Sequence, residues 1–349
     1  MKNEGQVIIC SGERANRYFQ MKAAIRSAYG SSDVLDISEV QVPVPADNEL
    51  LIKVHATTVN RTDCGILSGN PLVIRLFTGL LKPRDQITGT DFSGRVEVVG
   101  KEVKSFKVGD RVWGFDDNGL ASHAEYMVLA ENKALTTIPE DVTYEQAAAS
   151  IEGAHYAYNF IKKVNLQSGQ KVLVNGASGA IGSAMVQLLA YFGARVSAVC
   201  ETKSLDIVRS LGAERVIDYL KTDFTLDEGR FNYIFDAVGK SSFGKCKRLL
   251  LPGGVYISSE LGPKWENLYL PLITRLKGDK RVVFPVPLDI KGSLAFIRSL
   301  LEQGKFRPVI DRRYPLEKIK EAFGYVASGQ KTGNVIITMV HENRKTGPE

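Results

Sequence analysis

The sequence predicts an α/β protein in two parts: a β-rich, barrel-like first part, then a part built on a parallel, doubly wound sheet. Three observations carry this. The 349 residues suggest two domains at about 150 residues each. From Met21 to about Pro139, short β-like runs are punctuated by Gly, Pro, Asn and Asp, the pattern of a turn-rich antiparallel domain. From about Tyr144 the period changes, and β-like runs alternate with stretches of helical period, as in βαβ units on a parallel sheet.

In the first part the expected strands are Ala23–Arg26, Val34–Val42, Leu50–Val59, Gly94–Val99, Arg111–Phe115 and Ala124–Leu129. Turn signals such as Asp47-Asn48, Val108-Gly109-Asp110 and Asp116-Asp117-Asn118-Gly119 separate them. Pro71–Lys82 is an apolar insertion of expected helical character, either a wall of a substrate cleft or a packed surface helix. In the second part a helical stretch, Gln146–Ile161, leads into strands at 171–175, 194–199, 215–219, 231–238 and 254–258, with helices at 178–192, 203–211 and 241–251. Two further helices, Gly292–Gln303 and Leu316–Ser328, precede a strand, Val335–Met339, expected to return to the first part. The division expected is 21–143 with 288–349, and 144–287, with residues 1–20 a loose extension and the tail from His341 mobile.

The run Val174-Asn175-Gly176-Ala177-Ser178-Gly179-Ala180-Ile181-Gly182 is the most informative in the chain. It joins a β-like run, Lys171–Val174, to a helix former, Ala184–Phe192, and a second β-like run ends beside Glu201, nineteen positions after Gly182. Glycines three apart let a helix N-terminus approach a pyrophosphate, whose charge meets free backbone N–H groups, and the acid falls where a ribose-binding carboxylate belongs. The expected ligand is therefore a dinucleotide, surrounded by Gly176, Ser178, Gly179, Ala180, Ile181 and Gly182.

Composition narrows the rest. With 44% apolar and 24% charged residues the chain is ordinary for a globular protein, and no apolar run approaches the roughly 20 residues that cross a bilayer. A net charge of +6 spread along the sequence suits an anionic cofactor and gives no focused nucleic-acid face. Cys10, Cys64, Cys200 and Cys246 lie far apart, which fits reduced thiols and a cytoplasmic location. Neither a membrane nor a nucleic acid is an expected partner.

The chain resembles the medium-chain dehydrogenase/reductase superfamily, specifically its zinc-independent quinone oxidoreductase branch, over nearly all of Met21–Val340. The resemblance rests on Val59-Asn60-Arg61-Thr62-Asp63, Gly89-Thr90-Asp91-Phe92-Ser93-Gly94, Val99-Gly100, Val108-Gly109-Asp110-Arg111-Val112, the glycine turn, Leu211-Gly212-Ala213, Val216-Ile217-Asp218-Tyr219, Phe235-Asp236-Ala237-Val238-Gly239 and Gly253-Gly254. It implies a GroES-like catalytic domain, a Rossmann cofactor domain, hydride transfer from a nicotinamide, and a homodimer joined through the cofactor domains. Zinc-dependent relatives place Cys, a His-Glu pair and a second Cys at positions matching Asn60, Thr90-Asp91 and Glu152. Here neither thiolate nor imidazole is kept there, so no zinc is expected. Without a Lewis acid, charge growing on a carbonyl oxygen must meet hydrogen-bond donors alone, which favours activated carbonyls, enones or quinones as small-molecule substrates.

For catalysis, Asn60 is expected to orient substrate or ribose, Thr62 to donate or relay a proton, and Tyr156 to protonate an enolate. Each also has a bland reading: Asn60 and Thr62 as satisfiers of local backbone, Tyr156 as a core residue. Asp63 and Asp91 are expected to buttress the site. The resemblance implies Arg61 on the pyrophosphate, with a solvent-facing arginine the alternative. Val238 and Gly239 end a strand at the carboxyl edge of the sheet, Ser258 follows the next strand, and Tyr219 is expected near the adenosine phosphate. Glu201 suits a ribose diol and hence NAD, Lys203 suits a 2′-phosphate and hence NADP, and the sequence leaves that choice open. The competing readings are a dinucleotide-binding structural or regulatory protein with little turnover, and a zinc alcohol dehydrogenase.

Overall fold

A computed structural model describes residues 20–339, so the expectations for the first 19 residues and for the tail lie outside the described residues. The described residues divide into two units, residues 20–137 with 314–324 and 337–339, and residues 138–313 with 325–336. The first cut falls near the expected 143, but the stretch 288–313 groups with the second unit.

In the first unit, β1 (Gln20–Arg26) and β2 (Leu35–Gln41) form a two-stranded antiparallel sheet. The main sheet is built on β3 (Glu49–Val59), which pairs antiparallel with β4 (Asp91–Val99) on one side and β6 (Tyr126–Ala130) on the other. Strand β5 (Arg111–Phe115) pairs with β4, and β7 (Leu135–Thr137), absent from the expected strands, pairs with β5. A strand flanked on both sides buries almost every residue, and β3 does so. Between β3 and β4 lie α1 (Arg61–Ser68) and the short α2 (Ile74–Thr78). The expected helix over Pro71–Lys82 shrinks to one turn and a half because Gly79, at φ +120°, and Pro83 stop it.

In the second unit, α3 (Tyr144–Ala148) and α4 (Glu152–Lys162) split the single expected helix. Strands β8 (Lys171–Asn175), β9 (Arg195–Cys200), β10 (Arg215–Asp218), β11 (Phe231–Asp236), β12 (Leu250–Ser258) and β13 (Arg281–Val283) form one parallel sheet in the order β10-β9-β8-β11-β12-β13. Its helices are α5 (Ala180–Tyr191), α6 (Leu205–Ser210), α7 (Phe243–Cys246), α8 (Glu266–Lys277) and α9 (Ile290–Glu302). Strand order reverses between β8 and β11, which makes the carboxyl ends of those two strands the topological switch point, where open α/β sheets bind ligands. One face of the sheet packs Leu173, Val199, Ile234 and Tyr256 with Phe231, Phe243 and Leu249 in a continuous core.

Strand β14 (Ile310–Pro315), helix α10 (Ile319–Ala327) and strand β15 (Asn334–Thr338) follow. The sheet of the first unit continues beyond β3 into β15 and β14, whose final residues belong to that unit. The expected return of the last strand is thus seen, and Met339 N–H donates to the His55 carbonyl at 3.1 Å. Among the described residues no helix is long and apolar enough to cross a membrane.

Candidate functional site: a dinucleotide cradle and a buried carboxyl network

The cradle in the second unit starts where β8 ends. Gly176 sits at φ +79°, a conformation that L side chains rarely adopt, so the chain can turn back at once toward α5. Gly176 and Ala177 N–H groups both donate to the Val199 carbonyl, which fixes the turn on β9. A Cβ on Gly182 would lie 2.1 Å from the Gly176 carbonyl oxygen, so this glycine allows helix and turn to pack. A Cβ on Gly179 would meet nothing nearer than that same oxygen at 3.6 Å, and open space lies above it. Gly179 is the N-cap of α5 and has no side-chain cap, leaving the first N–H groups of the helix directed outward. Ala180 and Ile181 are its first two residues. The residues therefore fit a pyrophosphate: backbone donors, a helix dipole and no side chain in the way.

Around the cradle, the late segment 329–333 closes on the turn. Gly333 N–H donates to the Ser178 carbonyl at 2.7 Å, and Lys203 Nζ donates to the Gln330 carbonyl at 2.7 Å. Past the end of β9, Glu201 and Lys203 form an ion pair at 2.9 Å. Half-exposed Tyr219 stands near both, its phenol pushed up by partial burial and then by Glu201. Glu201, Lys203 and Tyr219 are thus brought together.

The loop after β11 hangs on Asp236, whose role sequence reasoning missed. Its buried carboxylate accepts from Asn175 Nδ2 (3.0 Å), Val238 N–H (3.3 Å), Gly239 N–H (2.9 Å), Ser241 N–H (3.0 Å) and Tyr256 Oη (3.0 Å). Burial, and then the carboxylate beside it, push the Tyr256 phenol up and keep it a donor. Val238 and Gly239 are held at the sheet edge with their N–H groups turned inward. Ser258, one strand over, is buried and its Oγ accepts from Glu260 N–H at 3.3 Å. An acid closing a β-like run just before a glycine was the available signal. Tyr156 lies half-buried on α4 with its ring edge-on to His155, at 5.7 Å between centroids.

In the first unit, Asn60 is the N-cap of α1. Its Oδ1 accepts from Asp63 N–H at 2.9 Å, and the Asp63 carboxylate accepts from Asn60 N–H at 3.0 Å, a reciprocal capping box. Asn60 Nδ2 donates to Thr90 Oγ1 at 2.9 Å, and the side chain is 2% exposed. Both polar ends of the amide are therefore occupied inside the unit, as in its bland reading. Arg61 and Thr62 begin the helix, Arg61 exposed and Thr62 half-buried. Asp91, fully buried, accepts from Thr58 N–H (2.7 Å), Thr57 Oγ1 (3.1 Å) and the Thr58 hydroxyl. Asn60, Thr90 and Asp91, three of the four positions that the resemblance matches to zinc ligands, lie together, Asn60 Nδ2 being 2.9 Å from Thr90 Oγ1 and 3.4 Å from the Asp91 carboxylate. An amide, a hydroxyl and one carboxylate already engaged by several donors do not fit zinc, which takes Cys, His and free carboxylate.

His123 completes this network from beneath. Its Nε2 lies 2.9 Å from the Thr58 carbonyl, which can only accept, so Nε2 carries the proton and Nδ1, 2.8 Å from Thr88 Oγ1, accepts. Burial pushes the Asp91 carboxyl up to about 6 and the His123 imidazole down to about 4. The folded chain holds the Asp91 proton more tightly than the unfolded chain, so this contribution is greatest in acid and is lost as pH rises through about 6. His123 acts oppositely: its contribution stands above pH 6.5 and is lost as pH falls through about 4. Each is worth about 3 kcal/mol, so the two offset one another between pH 4 and 6. Asp91→Asn removes the first alone. Its unfolding free energy is expected to fall more steeply from pH 6.5 to pH 4 than that of the wild type, measured by urea melts.

Residues 46–140 match the alcohol dehydrogenase GroES-like domain family, and residues 211–337 match the zinc-binding dehydrogenase family. The chain is 31% identical over 332 residues to 2-methylene-furan-3-one reductase of Solanum lycopersicum, covering 91% of this chain and 79% of that protein. It is 28% identical over 331 residues to the chloroplastic NADPH-dependent alkenal/one oxidoreductase of Arabidopsis thaliana, at 91% and 79% coverage. The structure of the quinone oxidoreductase from Coxiella burnetii shares the fold, with a TM-score of 0.81, 24% identity, and coverage of 92% of this chain and 99% of that one. A reductase relative matched along most of both chains, a GroES-like first unit and a parallel nucleotide-binding sheet leave one assignment: the chain belongs to the quinone oxidoreductase-like branch of the medium-chain dehydrogenase/reductase superfamily.

Proposed function

We propose that this chain is an NAD(P)H-dependent reductase of activated carbonyls, enones or quinones that works without zinc. The observation that carries it is the uncapped N-terminus of α5 beside Gly179 at the sheet's switch point. When bound, a reduced nicotinamide supplies the hydride. The chain's own residues hold and steer. The Ala180 and Ile181 N–H groups receive the pyrophosphate, with Arg61 a further cation for it. Val238 and Gly239, set by Asp236, border the nucleotide together with Ser258. Thr62 and the Tyr156 phenol are the proposed proton donors to the reduced substrate, and Asn60 acts by holding the start of α1 where Thr62 stands. The named activities of the relatives, a furanone reductase and an alkenal/one oxidoreductase, support this substrate class. Loss of nicotinamide absorbance with a panel of quinones and enones tests the reading. Tight cofactor binding with no acceptor reduced would assign the chain to binding instead.

Both nucleotides are accepted in this reading, because Lys203 and Glu201 neutralise one another where a 2′-phosphate would lie. Glu201→Gln frees Lys203 and removes the repulsion, and is expected to shift the ratio of Kd values about tenfold toward NADPH. Equal titration of both dinucleotides before and after the substitution would sink this account.

The functional division we propose is 21–143 with 288–349 for substrate and 144–287 for cofactor. The unit operates as a homodimer. Among the described residues β13 is the last strand of its sheet, and beside it α8 exposes Leu268, Tyr269, Leu272, Ile273 and Leu276, while buried Asn267 donates to the Glu260 carbonyl and buried Thr274 accepts from Val282 N–H. Leu272→Lys with Leu276→Lys is expected to yield monomers in sedimentation equilibrium. A cytoplasmic location is supported by the thiols Cys200 and Cys246, which form no disulfide among the described residues and which burial pushes up to about 11.

A further inference from the structure

The insertion between α1 and β4 turns its polar atoms inward and its apolar side chains out. Leu72, Val73, Leu76, Phe77, Leu80 and Leu81 are all exposed, Phe77 at 68% and Leu81 at 91%. Six large apolar groups exposed within ten residues are a concentration of the kind that marks an interaction surface. The segment is held firmly from beneath. The Tyr29 hydroxyl donates to the Gly79 carbonyl at 2.6 Å and shares a hydrogen bond with buried Thr78. The Arg75 guanidinium lies over the Tyr29 ring at 4.7 Å, and its Nε donates to the Gly69 carbonyl. Arg84 N–H donates to the Thr78 carbonyl, and buried Arg26 reaches the Asp85 and Ile66 carbonyls on either side. These contacts engage Tyr29, Arg75, Thr78 and Arg26, while the six apolar side chains stay exposed.

Charge selects the occupant. From Asn70 to Arg84 the chain carries Arg75, Lys82 and Arg84 and no carboxylate; the first is Asp85. Arg75 is spent on Tyr29, while Lys82 and Arg84 are exposed at the edge of the apolar patch. A second protein copy would need an apolar face without these two like charges meeting their own images. The α8 face beside β13, the last strand of its sheet among the described residues, meets that description better. Exposed Leu and Phe bordered by Lys and Arg is the composition that seats at a lipid interface, with apolar groups among the acyl chains and cations at anionic headgroups.

We propose that residues 71–84 form a monotopic docking surface for an anionic lipid bilayer. This departs from the sequence-based expectation that no membrane is a partner, which rested on the lack of a run long enough to span; lying on a surface takes only a short one.

The test is co-sedimentation of the full chain with phosphatidylcholine vesicles, with and without phosphatidylglycerol. The wild type is expected to pellet with the anionic vesicles. Leu76→Ser, Phe77→Ser and Leu81→Ser together should weaken that binding at least about tenfold, the loss of three buried apolar groups. Lys82→Gln with Arg84→Gln should remove the preference for anionic over neutral lipid, as added salt does. Circular dichroism confirms that these surface variants are folded, and Leu81→Trp should blue-shift its emission on vesicles beyond the wild-type change. A wild type that stays in the supernatant with both vesicles overturns the proposal, as does a triple serine variant that pellets equally. A wild type whose oligomeric state changes in the triple variant would give the patch to a second copy and overturn it too.

Discussion

Gly179→Leu is expected to raise the Kd for either reduced dinucleotide at least a hundredfold while leaving the melting temperature where it is. Position 179 has an ordinary extended backbone, so a side chain is not strained there. Its Cβ meets no atom closer than 3.6 Å. The leucine therefore projects into the space above the α5 N-terminus, where a pyrophosphate must approach to within hydrogen-bonding distance of backbone N–H. Gly182→Ala provides the contrast. Its methyl would sit 2.1 Å from the Gly176 carbonyl, and backbone cannot swing away as a side-chain tip can. It should lose about 2–3 kcal/mol of stability along with binding. Isothermal calorimetry and thermal melts on the pair separate the two effects. A Gly179→Leu chain that binds like the wild type would mean that the phosphates lie elsewhere.

Asp236→Ala is expected to cost about 3–5 kcal/mol, because five donors from three segments lose one buried acceptor together. That corresponds to a fall in Tm of roughly 10 °C for a unit of this size. Cofactor affinity should fall in step, since Val238 and Gly239 owe their position to this carboxylate. Asp236→Asn keeps the shape but turns an N–H₂ toward backbone donors, and should lie between the two. If Asp236→Ala melts like the wild type, the loop after β11 is held by something other than this network.

The parts of the molecule legible in the sequence are those where one local pattern decides the outcome. The glycine turn, the alternation of strand and helix after Tyr144, and the turn-separated strands of the first unit all follow from short-range spacing. What failed to show depends on partners far along the chain. Asp236 reads as one acid ending a strand, because its donors come from β8, its own loop and β12. Asn60 reads either as an orienter of substrate or ribose or as a satisfier of local backbone, and its bond to Thr90 on a distant segment is what the sequence did not display. Helix α8 was missed since Pro271 interrupts its interior and its apolar side chains face outward. The single expected helix over Gln146–Ile161 is two, because Thr143 and Gln146 cap a first short helix of their own.

The hydrogen bond from Gly333 to Ser178 has a bearing on how the protein is made. The glycine turn is assembled from residues 176–182, yet its back is closed by a stretch that is synthesised long after it. A nascent chain halted before residue 329 would own the glycine signature without the brace behind it. The glycine turn therefore gains its backing only in a chain that has added residues 329–333.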